Sequence, residues 1–300
     1  MRRSDDVTFF HVCTDGRAVP WIFQDDKDFV AGVNRIAICH LKTSAKVAAY
    51  VLMDNHVHFV LRGTMLQSKA FINLYKKLTG MWISQRYGVR GYLDSLPVEI
   101  ISIDSEESLL NTIAYLDRNP VMAGYRYMCG EYLWGSARFM FRDPACESEL
   151  KPSFSQSQWR ELSSLSVREQ RRLLNTHTLL PGNWQINDRG MLHPLCFLEI
   201  SIAESYYKTP LRYMYFLAKK LEGVVENEFR HAQNLFIPDK ELRLIVRQIS
   251  LDLFSVDNVL NLNVNERLTI ARRLRYDYAA SLKQISRMVR LEVSALDGFL

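Results

Sequence analysis

The sequence predicts an α+β protein in which an antiparallel sheet carries helices on one face and is followed by an all-helical C-terminal domain. Three observations lead there. Short apolar runs of strand length alternate with longer segments of helical spacing through residues 7 to 120. Two of those runs meet at Asp54-Asn55, too close for anything but a tight hairpin. From about Ile200 onward the apolar residues recur only with the helical period.

Taken in order, VTFFHV (7 to 12) reads as a strand that ends in the turn Thr14-Asp15-Gly16. Asp25, Asp26 and Asp28 suit the first turn of a helix running to about Leu41, since carboxylates oppose the positive end of the helix dipole. VAAYVLMD (47 to 54) and HVHFVLRG (56 to 63) form the hairpin. A helix follows from about Ser68 to Tyr87, with Phe71, Leu74, Tyr75 and Leu78 at helical spacing and Gly88 at its end. VEIISI (98 to 103) is a further strand, and the next helix starts at Ser105 and is ended by Pro120. Residues 143 to 199 are rich in turn-formers and read as a connecting region, with one short helix within 155 to 175. Three domains result: 1 to 142, the connecting region 143 to 199, and a helical domain 200 to 300. Within the last, 264 to 278, a helix capped by Ser281, a turn at Leu291 and a helix to the terminus match a helix-turn-helix layout at about 264 to 300.

Composition excludes several classes. The chain has 48% apolar and 24% charged residues, which is ordinary for a packed core and unlike a disordered chain. Five cysteines without a C-x-x-C pair argue against a disulfide framework and a cysteine zinc site, and point to a reducing compartment. There is neither a signal-peptide core nor a membrane-length apolar run, so the expected location is cytoplasmic with no membrane partner. A net charge of +5 and a pI near 8.9 permit a polyanionic partner without requiring one.

The sharpest local feature is Asn55-His56-Val57-His58. Residues two apart on a strand share a face, so both imidazoles can hold one cation, although two histidines on a half-exposed strand also read as plain polar positions. Tyr115 and Asn119 are one helical turn apart, which lets a phenol and an amide oxygen point the same way. Lys76, Lys77, Arg86 and Arg90, with Tyr75, Trp82 and Tyr87 among them, suit single-stranded nucleic acid, whose backbone follows cations and whose bases stack on rings. The same segment also reads as a solvated helix face with aromatics on its core side.

The string YVLMDNHVHFVL resembles the HUH motif of the transposase superfamily that includes the REP-associated tyrosine transposases. IAYLDRNPVMAGYRYMCGEYLWGSARF is similar to that family's Tyr-containing Asn-Pro-Val segment. The resemblance covers roughly residues 5 to 142 and departs from the pattern at Asp54, Met122, Leu133 and Gly135. It implies a ferredoxin-like HUH domain with His56 and His58 as metal ligands, Tyr115 as nucleophile and Asn119 completing the metal site. The implied cofactor is Mg2+ or Mn2+, and the implied activity is an endonuclease and strand transferase acting on single-stranded or hairpin DNA through a 5′-phosphotyrosine. Arg118, Lys283 and Arg287 join Lys76, Lys77, Arg86 and Arg90 as DNA-binding candidates, and relatives of this type often form homodimers. The alternatives are a catalytically silent, host-adopted DNA-binding regulator, and a metal-dependent hydrolase that needs no tyrosine. The last helix, from Val293, lacks basic residues, so a plain helical packing unit competes with the DNA-binding reading of the C-terminus.

Overall fold

A computed structural model describes residues 6–16, 18–125, 128–142, 159–219, 237–276, 278 and 280–297. The chain divides into two compact units, one made of Met1–Asp117 and Cys129–Leu217, the other of Arg118–Met128 and Ala218–Leu300. The contact boundary therefore falls at Leu217/Ala218, and the described part of the connecting region belongs with the sheet. Asn34 stitches it there, donating to Gly190 O at 2.8 Å and accepting from Leu192 N at 2.8 Å.

The first unit is α+β. Strands β1 (Thr8–Thr14), β2 (Lys46–Met53), β3 (His56–Gly63) and β4 (Val98–Ile103) form one antiparallel sheet in the order β2-β3-β1-β4. Helix α1 (Asp26–Thr43) separates β1 from β2, and α2 (Met65–Tyr87) separates β3 from β4. Asp25 caps α1 by accepting from Asp28 N, as the acid-rich start anticipates. Helix α2 begins three residues before the expected Ser68 because Thr64 and Gln67 close a capping box; it ends at Gly88, whose φ of 72° is costless only for glycine. The Asp54-Asn55 hairpin forms as read.

Two expectations change. Helix α3 (Glu106–Met122) runs through Pro120, because a proline in the last turn removes one backbone donor and the helix still closes with Ala123 N on Asn119 O at 2.9 Å. Helices also cover both faces of the sheet. Phe59 packs on Phe71 and Tyr75 of α2, and Gly32 of α1 lies against Leu52, which pairs with Val57 on that same face. The neighbouring residue His58 points to the opposite face, where its ring meets Tyr115 of α3. A strand that is apolar on both sides, such as the almost wholly buried β2, needs both covers.

After two short 3-10 helices, Cys129–Glu131 and Ser136–Phe139, come β5 (Arg160–Glu161), α4 (Val167–Leu174), β6 (Gln185–Ile186), α5 (Ile200–Tyr207) and α6 (Pro210–Ala218). The expected helix within 155 to 175 is thus α4; residues 155 to 158 lie outside the described set. Tyr207 donates to Leu110 O at 2.6 Å and Tyr213 to Asp117 at 2.7 Å, fixing α5 and α6 against α3.

The second unit contains α7 (Asp239–Phe254), α8 (Val264–Tyr276), α9 (Leu282–Val289) and α10 (Val293–Asp297). Leu242, Val246, Ile249, Ile270, Leu274, Ile285 and Leu296 form its core. Ser281 caps α9 in a capping box with Gln284, and the turn before α10 starts at Arg290 in the left-handed region. The helix boundaries follow the sequence reading; residues 298 to 300 lie outside the described set.

Candidate functional site

The β1–β3 register builds the site. Cys13 lies directly opposite His58, and His11 and His56 are two residues along from each, so four side chains share one sheet face. His56 and His58 were legible as a pair, but His11 and Cys13 were not. The available signal was His11-Val12-Cys13, which repeats the alternation of His56-Val57-His58 one strand away.

Hydrogen bonds fix how the imidazoles face. Asn55 donates its amide to Gly16 O, which turns its Oδ1 toward His56 Nδ1 at 2.9 Å. An amide oxygen only accepts, so His56 Nδ1 carries a proton, which in the neutral ring leaves the lone pair on Nε2. His58 Nδ1 lies 3.0 Å from His11 Nε2, the two sharing one proton between stacked rings 5.3 Å apart. His58 is 5% exposed, and its Nε2 has no hydrogen-bond partner among the described residues. Buried polar nitrogens seldom stay unpaired without a role. Burial holds His58 well below the ordinary histidine range, helped by His56 and His11, and lowers His11 to about 4. Both rings are therefore neutral at pH 7, the form that binds metal. Burial, with Glu99 and Asp15, raises the Cys13 thiol to about 11.

Tyr115 enters from α3. Its ring stands edge-on to His58 at 5.6 Å and to His11 at 6.2 Å between centroids, and it remains 48% exposed. The arrangement brings His56, His58 and Tyr115 to one place, together with His11, and keeps the phenol open to a large substrate. Asn119 follows one turn later on the same helix and is half-buried. The group whose ligand atoms lie within 4.8 Å of one another is His11, Cys13 and His58, which could hold a metal ion.

The cationic candidates are distributed otherwise. Helix α2 packs on the sheet face away from the histidines, so Lys76, Lys77, Arg86 and Arg90 do not border them. Lys76, Lys77 and Arg90 line a cleft of about 540 Å³ that also includes Ser84, Gly91 and Asp94, and Lys76 donates to Leu96 O at 2.6 Å. Arg86 is committed to Asp25 and Asp28. Tyr75 is core, while Trp82 and Tyr87 are half-buried, donate to Asp28 and carry guanidinium groups over their rings, Arg35 and Arg86 on Trp82 and Arg86 on Tyr87. Arg118 is 6% exposed. Lys283 is exposed, whereas Arg287 forms a bidentate pair with buried Asp239.

Among the described residues no helix is long and apolar enough to cross a membrane. Compared with protein families, with characterised proteins and with solved structures, the chain matches none.

Proposed function

We propose that this chain is a metal-dependent, single-tyrosine DNA strand transferase of the HUH transposase type, acting on single-stranded or hairpin DNA. The observation that carries the reading is the approach of the half-exposed Tyr115 ring to His58 at 5.6 Å, in a site where burial keeps His58 and His11 neutral. The strand order β2-β3-β1-β4, with α1 and α2 on one face, supports a ferredoxin-like domain beneath it. His56 and His58 would hold the divalent cation through their Nε2 atoms. When bound, Mg2+ or Mn2+ supplies charge that polarises the scissile phosphate.

The remaining work belongs to the chain. Tyr115 presents its phenol from a helix, an element stiff enough to hold a reacting atom in place. Its oxygen forms a bond to phosphorus as the bond from phosphorus to the 3′ oxygen breaks; the phenol proton leaves to solvent and the 3′ oxygen gains one. One ester replaces another, so the 5′-phosphotyrosine retains the energy needed for rejoining. The helices α8 to α10 would add DNA contacts, with exposed Lys283 the better placed of their two candidates.

The test is incubation of the protein with a pool of labelled hairpin and single-stranded DNAs plus Mg2+ or Mn2+, followed by a denaturing gel. A covalent adduct that disappears with chelator and with Tyr115→Phe is expected. Tight DNA binding without an adduct would instead favour the silent regulator, and an adduct-free, tyrosine-independent hydrolysis the unrelated hydrolase.

A further inference from the structure

We infer that His11, Cys13 and His58 form a site for a thiophilic divalent cation of the zinc class. Their ligand atoms lie within 4.8 Å of one another. The register explains the convergence: His58, Cys13 and Glu99 stand side by side in one row across β3, β1 and β4, and His11 follows Cys13 by two residues on the same face. Such cross-strand neighbours have Cβ atoms about 5 Å apart, close enough for short side chains to meet over one ion.

The geometry is already near what such an ion requires. Two nitrogens bound to tetrahedral zinc at about 2.05 Å sit about 3.3 Å apart, and His11 Nε2 and His58 Nδ1 are 3.0 Å apart. Opening that pair by a few tenths of an ångström and turning the rings so that both lone pairs meet off the line between them would exchange the hydrogen bond for two metal bonds, with Cys13 Sγ drawn in from within 4.8 Å. The proton they share then moves to the far nitrogen of its own ring, and the Cys13 thiol proton leaves to solvent as the sulfur–metal bond forms. Glu99 and Asp15 are charged neighbours of Cys13, so the surroundings oppose a lone thiolate and welcome a dication. A purely structural role explains the His11–His58 bond, but it explains neither the thiol beside it nor the carboxylate that completes the row.

The donor set decides the metal. Two imidazoles and a thiolate suit zinc or cobalt, whereas magnesium takes oxygen ligands. This site is therefore chemically separate from the Mg2+ or Mn2+ function, yet it uses His58 as well. If the strand-transfer reading holds, a thiophilic ion withdraws His58 from the catalytic pair and opposes DNA cleavage.

The probe is Co2+, titrated into metal-free full-length protein in the absence of DNA and followed by absorbance. A near-ultraviolet band from thiolate-to-cobalt charge transfer, with intense visible bands of a tetrahedral ion, is expected, and Zn2+ should bleach them. Cys13→Ser should remove the ultraviolet band while Cys129→Ser keeps it, and His11→Ala should weaken Co2+ binding by roughly tenfold or more. His56→Ala should leave the ultraviolet band in place. The absence of that band in the wild-type protein at saturating Co2+ overturns the inference without recourse to any variant, as does its survival in Cys13→Ser. The readout needs no DNA, so a failed adduct assay and a failed titration are separate results.

Discussion

Replacing the Tyr115 hydroxyl by hydrogen is the smallest change that separates chemistry from architecture, because the ring contacts to His58 and His11 stay. Tyr115→Phe is expected to reduce adduct formation by roughly a thousandfold or more, with DNA binding and thermal midpoint unchanged in the same preparation. The two cations of α9 should behave in opposite ways. Lys283 is exposed, so Lys283→Ala should lower the salt dependence of DNA binding by about one ion and alter stability by less than about 0.5 kcal/mol, read by filter binding and urea melts. Arg287 instead neutralises Asp239, whose side chain is 4% exposed, and Arg287→Ala should cost about 3 kcal/mol by urea melt. Sequence alone does not distinguish these two, since each is a basic residue on one amphipathic helix. Burial of the partner does, and that partner lies 48 positions away.

At the level of elements, the fastening of α2 to the start of α1 is an ion cluster. Arg86 reaches Asp25 and Asp28, and Trp82 and Tyr87 donate to Asp28 as well. Arg86→Ala should destabilise the fold by about 2 to 3 kcal/mol, less than for a wholly stranded charge because three donors, the Gln24 N–H, Trp82 and Tyr87, remain on Asp28. The acid limb reports the same contact. The Arg86 hydrogen bond is the main cause holding Asp25 below its ordinary carboxylate range, so its contribution is full above that range and is lost as pH falls through the lowered value. Urea midpoints between pH 5 and pH 2 should therefore fall less steeply in Arg86→Ala than in wild type. The hairpin, α2 and α9 were legible because each is specified within a few residues: a two-residue turn, an apolar period closed by glycine, or a capping serine ahead of an apolar helix. Helix α3 passing Pro120 was not, since a proline one turn from a helix end costs little and the remaining backbone bonds decide the boundary. The pairing of β1 with β3, which delivers His11 and Cys13, is non-local, and no window of sequence contains it.

For the whole molecule, two separate cores imply two cooperative units. Leu274 is fully buried in the helical one, and Leu274→Ala should cost about 2 to 5 kcal/mol there, lowering one calorimetric transition and leaving the other in place. A single transition shifted as a whole would count against independent units. The helices on both sheet faces also explain why cations that follow the hairpin closely in sequence do not border the histidines. Periodicity tells which side of a helix is wet, but not which side of a sheet the helix covers, and α2 covers the side without the histidines.

Gly16 contributes no ligand, yet it stands where the imidazole of His56 must go. A Cβ there would meet His56 Nδ1 at 2.9 Å, and the Gly16 carbonyl anchors the Asn55 amide that sets the ring's proton. A single methyl at this position would press on the ring and disturb its tautomer together. If the proposed function holds, Gly16→Ala would thus weaken metal binding through His56 without replacing any residue proposed to touch the ion.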